Sequence, residues 1–467
     1  MLRFAPPAPA PHWSGVRDAR RPGNRCPQPA AITGEPRSES EDCLYLNVTA
    51  PRSSGRHAPR PVLVWVHGGG LRNGAGSDYD ARRLAVGGNL VVVTVNYRLG
   101  ALGFLGLRAL PTSGTLALQD QQAALRWVRR NAAAFGGDPT RVTLAGESGG
   151  AHGICAQLTS PAAAGLFHRA ILQSNPCVKP GLDHSSSRPI VAGPVWLSPE
   201  AADDNAMALA RAAGCADTGT PPDTVVRCLR DLPVATLVDA EFYGPPSYGN
   251  SVLPENPDEV LLSGRFHRVP VLSGITRDEG TFFAALLAPV PIPDDQYRPY
   301  LEDVFGSGAA EVERRYPLPA YRSARHALAA IVSDREWAWL AQDSDELFAR
   351  HVPSYSFEFT DRRAAPLFGY PADIPPGASH GADLGYLFDR LGRPNRLDHA
   401  QRALADRMIR HWGRFARTAD PNGAGLPRWP RYRHTDAVPH VQELGPGRAG
   451  PYDRSGQHQL RFWIDLG

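Results

Sequence analysis

The first third of the chain alternates short apolar runs with one longer stretch of helical periodicity. Pro61-Val-Leu-Val-Trp-Val66 and Leu90-Val-Val-Val-Thr-Val95 are rich in β-branched residues and apolar at nearly every position. Such runs suit strands covered on both faces, whereas half-wet strands alternate. Arg141-Val-Thr-Leu-Ala145 is a third strand candidate. Between the second and third, Leu118, Gln121, Leu125, Val128, Ala132 and Phe135 form one mostly apolar stripe, which predicts a helix over 118–135. Gly136-Gly137 ends it and Asp138-Pro139 prevents its continuation. Strand, helix, strand is a βαβ unit, so the fold class is α/β with a mostly parallel sheet.

Further along, residues 180–260 are loop-rich, with Pro-Gly, Ser-Ser-Ser and Pro-Pro clusters around one helix candidate at 199–213. Val269-Pro-Val-Leu-Ser-Gly274 reads as a strand, 300–350 is helical, and Tyr355-Ser-Phe-Glu-Phe359 alternates like a strand. No internal repeat or low-complexity linker divides the chain, which predicts a single domain over 1–467 with helical insertions.

Composition narrows the function. The net charge of +3, from 50 basic and 47 acidic residues, gives no field to attract nucleic acid or an anionic membrane. No stretch reaches the roughly 18–20 apolar residues needed for a membrane span. Six cysteines (Cys26, Cys43, Cys155, Cys177, Cys215 and Cys228) lack metal-ligand spacing, so neither a zinc site nor any other metal is expected. Spacing alone does not pair them, though Cys26 to Cys43 and Cys215 to Cys228 stand out as short loops.

The sharpest chemical signal is Gly146-Glu147-Ser148-Gly149-Gly150, between the strand at 141–145 and a short helical stretch at 149–159. A tight strand-to-helix turn strains the serine backbone and lifts its hydroxyl clear, and demands small residues two before and two after. His67-Gly68-Gly69-Gly70 follows the first strand. Consecutive glycines let main-chain N–H groups face one point, and with Gly149 they would form an oxyanion hole. A serine needs a base oriented by an acid, in the chain order serine, acid, histidine. Of twelve histidines after Ser148, His380 lies in the small-residue loop Gly377-Ala-Ser-His-Gly-Ala-Asp383, where a base has freedom to work. Arg277-Asp278-Glu279-Gly280 follows a strand, and either Asp278 or Glu279 suits the acid.

With these motifs in place, the sequence resembles the type-B carboxylesterase/lipase family, the α/β-hydrolases that include cholinesterases and bacterial carboxylesterases. Ser40-Glu-Asp-Cys-Leu-Tyr-Leu-Asn47, Asn96-Tyr-Arg-Leu-Gly-Ala-Leu-Gly-Phe-Leu105, Phe135-Gly-Gly-Asp-Pro139, Phe415-Ala-Arg-Thr-Ala-Asp-Pro-Asn422 and Leu426-Pro-Arg-Trp-Pro430 carry the likeness. The resemblance implies an α/β-hydrolase fold and hydrolysis of carboxylic esters through an acyl-enzyme, without cofactor or metal. It implies Ser148 as nucleophile, Glu279 as acid, His380 as base, and Gly69, Gly70 and Gly149 as oxyanion donors, with Glu147, Ser174 and Asp383 in support. It further implies disulfides Cys26–Cys43 and Cys215–Cys228, leaving Cys155 and Cys177 as free thiols.

Several positions depart from the family pattern. Gly149 replaces the usual alanine, which predicts a looser elbow, and Leu71 replaces an aromatic residue. Asn250-Ser251 stands where Asp-Gly is common. The Cys26–Cys43 loop has no tryptophan, which argues against a cholinesterase. The chain begins where relatives already have an N-terminal edge hairpin, so an upstream start encoding that hairpin and a signal peptide is expected. Disulfides favour an extracytoplasmic location, while the lack of a signal peptide in this sequence favours the cytoplasm. The expected partner is a small-molecule ester, with no nucleic acid and no membrane span, acting on a monomer or weak homodimer. A non-catalytic binding module is the alternative, against which the presence of Ser148, Glu279 and His380 stands.

Overall fold

A computed structural model describes residues 3–52, 58–110, 112–178, 195–287 and 292–466. It resolves into two compact units: Met1–Arg169, Pro194–His267 and Arg390–Arg393 form the first, and Ala170–Gly193, Arg268–Asp389 and Pro394–Gly467 the second.

In the first unit, β1 (Leu46–Thr49), β2 (Arg60–Val66), β3 (Val91–Val95) and β4 (Gly137–Glu147) adjoin in the order β1-β3-β2-β4. Only β1 runs antiparallel to its neighbour. β3 is buried throughout and β2 from Pro61 onward, as their unbroken apolar runs require. β4 is longer than expected. The register jumps between Pro61 and Val62, so that Val62 pairs with Val142, and this irregularity accommodates Pro139 inside the strand.

Helix α1 (Leu116–Asn131) continues as a 3-10 turn, Ala132–Phe135, and ends at Gly136 with φ 74°. The expected stripe is buried except at its last position, Phe135, which is 43% exposed. Helix α2 (Gly149–Thr159) begins directly after Ser148. Helix α3 (Pro199–Ala212) starts on the Ser198 side chain, which accepts from the Ala201 N–H. The region expected to be loops also holds α4 (Pro222–Asp231) and two shorter helices, Val234–Asp239 and Pro257–Leu262. Its prolines open helices, where a missing N–H costs nothing. The part of that expectation covering 180–194 lies outside the described residues.

In the second unit, β5 (Arg169–Gln173), β6 (Val271–Thr276), β7 (Ser354–Phe359) and β8 (Val441–Leu444) are parallel neighbours in that order. Helix α5 (Glu279–Leu287) follows β6. The helical stretch at 300–350 is broken, and its last part runs as α6 (Ala324–Ile331), a π-helical segment (Val332–Ala338) and α7 (Trp339–Ala349). Helix α8 (His399–Thr418) opens with a capping box between Asp398 and Gln401. Among the described residues, no helix is long and apolar enough to cross a membrane.

Disulfides join Cys26 to Cys43 and Cys215 to Cys228, the latter tying α3 to α4. Closing loops of this size restricts the unfolded chain and stabilises the fold by about 3 kcal/mol each. Cys155 and Cys177 are also disulfide-bonded, not free thiols.

Candidate active site

The first unit carries a strained serine turn built of backbone. Ser148 joins β4 to α2 with φ 53° and ψ −126°, a conformation that costs a non-glycine residue of order 1–3 kcal/mol. The crowding that enforces it is measurable. A Cβ on Gly150 would lie 2.1 Å from the Val66 carbonyl oxygen, and one on Gly146 would lie 2.7 Å from the same atom. The expectation that both positions be small is met.

The glycine run packs beside this turn. Gly69, Gly70 and Leu71 all have positive φ (105°, 60° and 61°). The Gly69 carbonyl accepts from the Arg72 and Asn73 N–H groups at 3.1 and 3.0 Å, closing a tight turn. A Cβ on Gly149 would fall 3.4 Å from the Gly70 nitrogen and 3.0 Å from the Leu71 nitrogen. The elbow is therefore not loose. Leu71 closes over Gly149, so the two departures from the family pattern compensate each other.

Buried groups hold the run from behind. His67 stacks on Tyr97 at 4.4 Å, and the Tyr97 hydroxyl donates to the His67 carbonyl at 2.6 Å. Burial depresses the His67 imidazole to about 4, so it is neutral near pH 7. Glu147 is buried, and its Oε2 would be 2.6 Å from a Cβ on Gly68. His152 stacks on Trp196 at 4.2 Å, a packing role. Beside the run, Gly70, Leu71, Arg72, Phe242 and Tyr243 help line a cavity of about 370 Å³.

The second unit carries a buried acid–imidazole pair built of side chains. Glu279 opens α5 and is fully buried. Its Oε1 accepts the Thr276 N–H at 2.8 Å and its Oε2 lies 2.5 Å from His380 Nδ1. A carboxylate only accepts, so Nδ1 carries the proton and Nε2 is the basic position. This resolves the choice between Asp278 and Glu279 as the histidine's partner: Asp278 faces away, toward Arg362 and the Ala378 N–H.

Asp383 is buried and accepts from Gln173 Nε2 at 2.6 Å, and Gln173 in turn accepts from the Trp412 indole at 3.1 Å. Burial pushes the Asp383 carboxyl up to about 6, which the Gln173 hydrogen bond opposes and the nearby Glu279 reinforces. Ser174 ends β5 with φ 48°, and its N–H donates to the Gly274 carbonyl at 2.8 Å.

Sequence reasoning missed the groups that enclose the imidazole. The rings of Phe282, Phe283 and Trp337 lie 5.2, 5.0 and 5.0 Å from the His380 ring. The Phe-Phe pair one turn after Glu279 was a usable signal; Trp337, on the π-helical segment, had none. Gln173 and Trp412 were likewise invisible.

Each unit has features of a serine hydrolase: in the first a strained serine beside a run of glycine amides, in the second a buried carboxylate fixing an imidazole. Comparison with known proteins agrees. Residues 1–463 match the model of the carboxylesterase family. The chain is 32% identical to cocaine esterase of Oryctolagus cuniculus, over 99% of this chain and 88% of that protein. Pyrethroid hydrolase Ces2e of Rattus norvegicus is also 32% identical, over 99% and 82%, and carboxylesterase 3 of Homo sapiens is 30% identical, over 99% and 83%. The chain belongs to the carboxylesterase family. Its fold is that of an α/β-hydrolase, and it is a serine hydrolase of carboxylic esters whose substrates are small molecules.

Proposed function

We propose that Ser148 is the nucleophile, His380 the general base and Glu279 the acid that orients it, with the Gly69, Gly70 and Gly149 N–H groups as oxyanion donors. The observation that carries the assignment is the buried pairing of Glu279 with His380, 101 residues apart in sequence. His380 Nε2 takes the Ser148 proton as Oγ attacks the ester carbonyl. The main-chain amides stabilise the tetrahedral oxyanion, the alcohol leaves with the proton from Nε2, and an acyl-serine remains. Water, deprotonated by His380, then releases the acid and restores Ser148.

Glu147, Ser174 and Asp383 support the site without touching the reacting atoms. The cavity beside Gly70 suits part of the substrate, and the relatives' printed names support a small-molecule carboxylic ester. The single family match over 1–463 supports treating both compact units as one hydrolase domain. Ser148→Ala should abolish hydrolysis of p-nitrophenyl esters and labelling by a fluorophosphonate; turnover by that variant would refute the assignment. A series of increasing acyl length identifies the preferred acid.

A further inference from the structure

Two adjacent carboxylates at the turn after β6 have different tasks. Glu279 turns inward to His380, whereas Asp278 turns to the loop that carries His380. The Asp278 N–H donates to the Ala378 carbonyl at 2.9 Å, and the Asp278 carboxylate accepts the Ala378 N–H at 2.8 Å. Both polar groups of the residue two before His380 are thereby held by one residue. A parallel bridge pairs Asp278 with Ser379.

Other contacts tighten the same junction. Gly377 has φ 63°, and a Cβ there would fall 2.3 Å from Asp278 Oδ2, so the loop backbone lies directly on the carboxylate. Arg362 donates to both oxygens, at 2.9 and 2.6 Å. Thr281 Oγ1 lies 2.7 Å from the Asp278 carbonyl oxygen and 2.8 Å from that of Pro376.

We propose that Asp278 is a positioning residue for the hydrolysis: it clasps the His380 loop to the Glu279 turn, so that base and acid move as one body. The inference rests on the assignment of Glu279 and His380 given above and adds a residue that acts through them. The physical need is strict, since productive geometry tolerates displacements of only about 0.5 Å. A loop rich in small residues, here Gly377-Ala378-Ser379, does not hold such a tolerance unaided. Asp278 meets loop backbone and Arg362, not the cavity beside Gly70, so its loss should weaken turnover and leave binding intact.

The test compares Asp278→Ala, Asp278→Asn and Arg362→Gln, with rates normalised to active sites titrated by a fluorophosphonate. Asp278→Ala should lower kcat by about 10- to 100-fold with KM changed less than about 2-fold. Asp278→Asn keeps an oxygen to accept the Ala378 N–H and should recover most of that loss. Arg362→Gln, removing an exposed partner, should cost only about 2-fold. Equal per-site kcat in wild type and Asp278→Ala would overturn the proposal, as would a loss of KM alone. If Asp278→Ala does not fold, Asp278→Ser, whose shorter side chain falls short of the Ala378 N–H, is read in its place, and its per-site kcat unchanged from wild type overturns the clasp. Ser148→Ala is the control: its retained activity refutes the catalytic assignment, whereas an inactive Ser148→Ala beside an unimpaired Asp278→Ala refutes only the clasp.

Discussion

The Ser148 turn of the first unit and the Glu279–His380 pair of the second reach rigidity by opposite means. Around Ser148 the constraint is local and made of backbone: a strained turn, glycines pressed on the Val66 carbonyl, and three successive positive-φ residues. Around His380 it is long-range and made of side chains. The Asp278–Glu279 turn, the loop carrying His380 and Asp383, and Gln173 on β5 are three separate stretches of chain that meet through hydrogen bonds. The first kind is sensitive to volume and the second to charge.

Farther out, the second unit is anchored by buried ionic groups. Asp345 accepts hydroxyl hydrogen bonds from Ser273 on β6 and Ser356 on β7. Arg454 pairs with Asp345 at 2.8 Å and Glu358 at 3.0 Å. His458 bridges Asp334 and Glu358 at 2.6 and 2.7 Å. The strands leading to Glu279 are thus tied to the C-terminal segment by charges that must all be present.

The contrast can be broken in order of effect. Ser148→Ala should cut kcat by about 10⁴-fold or more, measured by burst-free ester hydrolysis, with stability little changed. Glu279→Gln preserves shape but lets the imidazole take the wrong tautomer; a loss of about 10³- to 10⁴-fold in kcat is expected. Arg454→Met leaves buried Asp345 without its cationic partner and Glu358 with His458 alone, and should cost about 3–5 kcal/mol in urea unfolding.

The same anchor should respond to pH. Burial alone would depress His458, but the carboxylates of Glu358 and Asp334 outweigh it and push it up to about 10. Its folded value exceeds the unfolded value near 6.5, so its stabilisation is complete below about 6.5 and is lost as pH rises through about 10. Unfolding midpoints should fall across that window in wild type and much less in His458→Asn. Smallest of all, Gly149→Ala should lower kcat by about 10-fold, because the added methyl presses on Leu71 and shifts the Gly70 amide off the developing oxyanion. Unchanged kcat there would show that Leu71 yields to the added methyl.

What could be read beforehand follows the same division. The elbow, the glycine run, β2, β3, α1 and α2 rest on contiguous residues, and their periodicities and small-residue spacings announced them. The end of β4 was legible and its start was not, because an irregularity absorbs Pro139. Helices α4, Val234–Asp239 and Pro257–Leu262 were hidden by prolines taken as loop signals. The roles of Glu279 and His380 came from resemblance, since twelve histidines and two neighbouring acids were formally open.

The sequence by itself determined β2, β3, α1, α2 and the strained serine turn, because backbone sterics act between near neighbours. Only the tertiary structure decided between Asp278 and Glu279 where spacing had left both open, and showed that Cys155 and Cys177 are not free thiols and that Asp278 hydrogen-bonds the His380 loop. Hydrogen bonds and buried charges pair groups by distance in space, and no local pattern encodes a separation of a hundred residues.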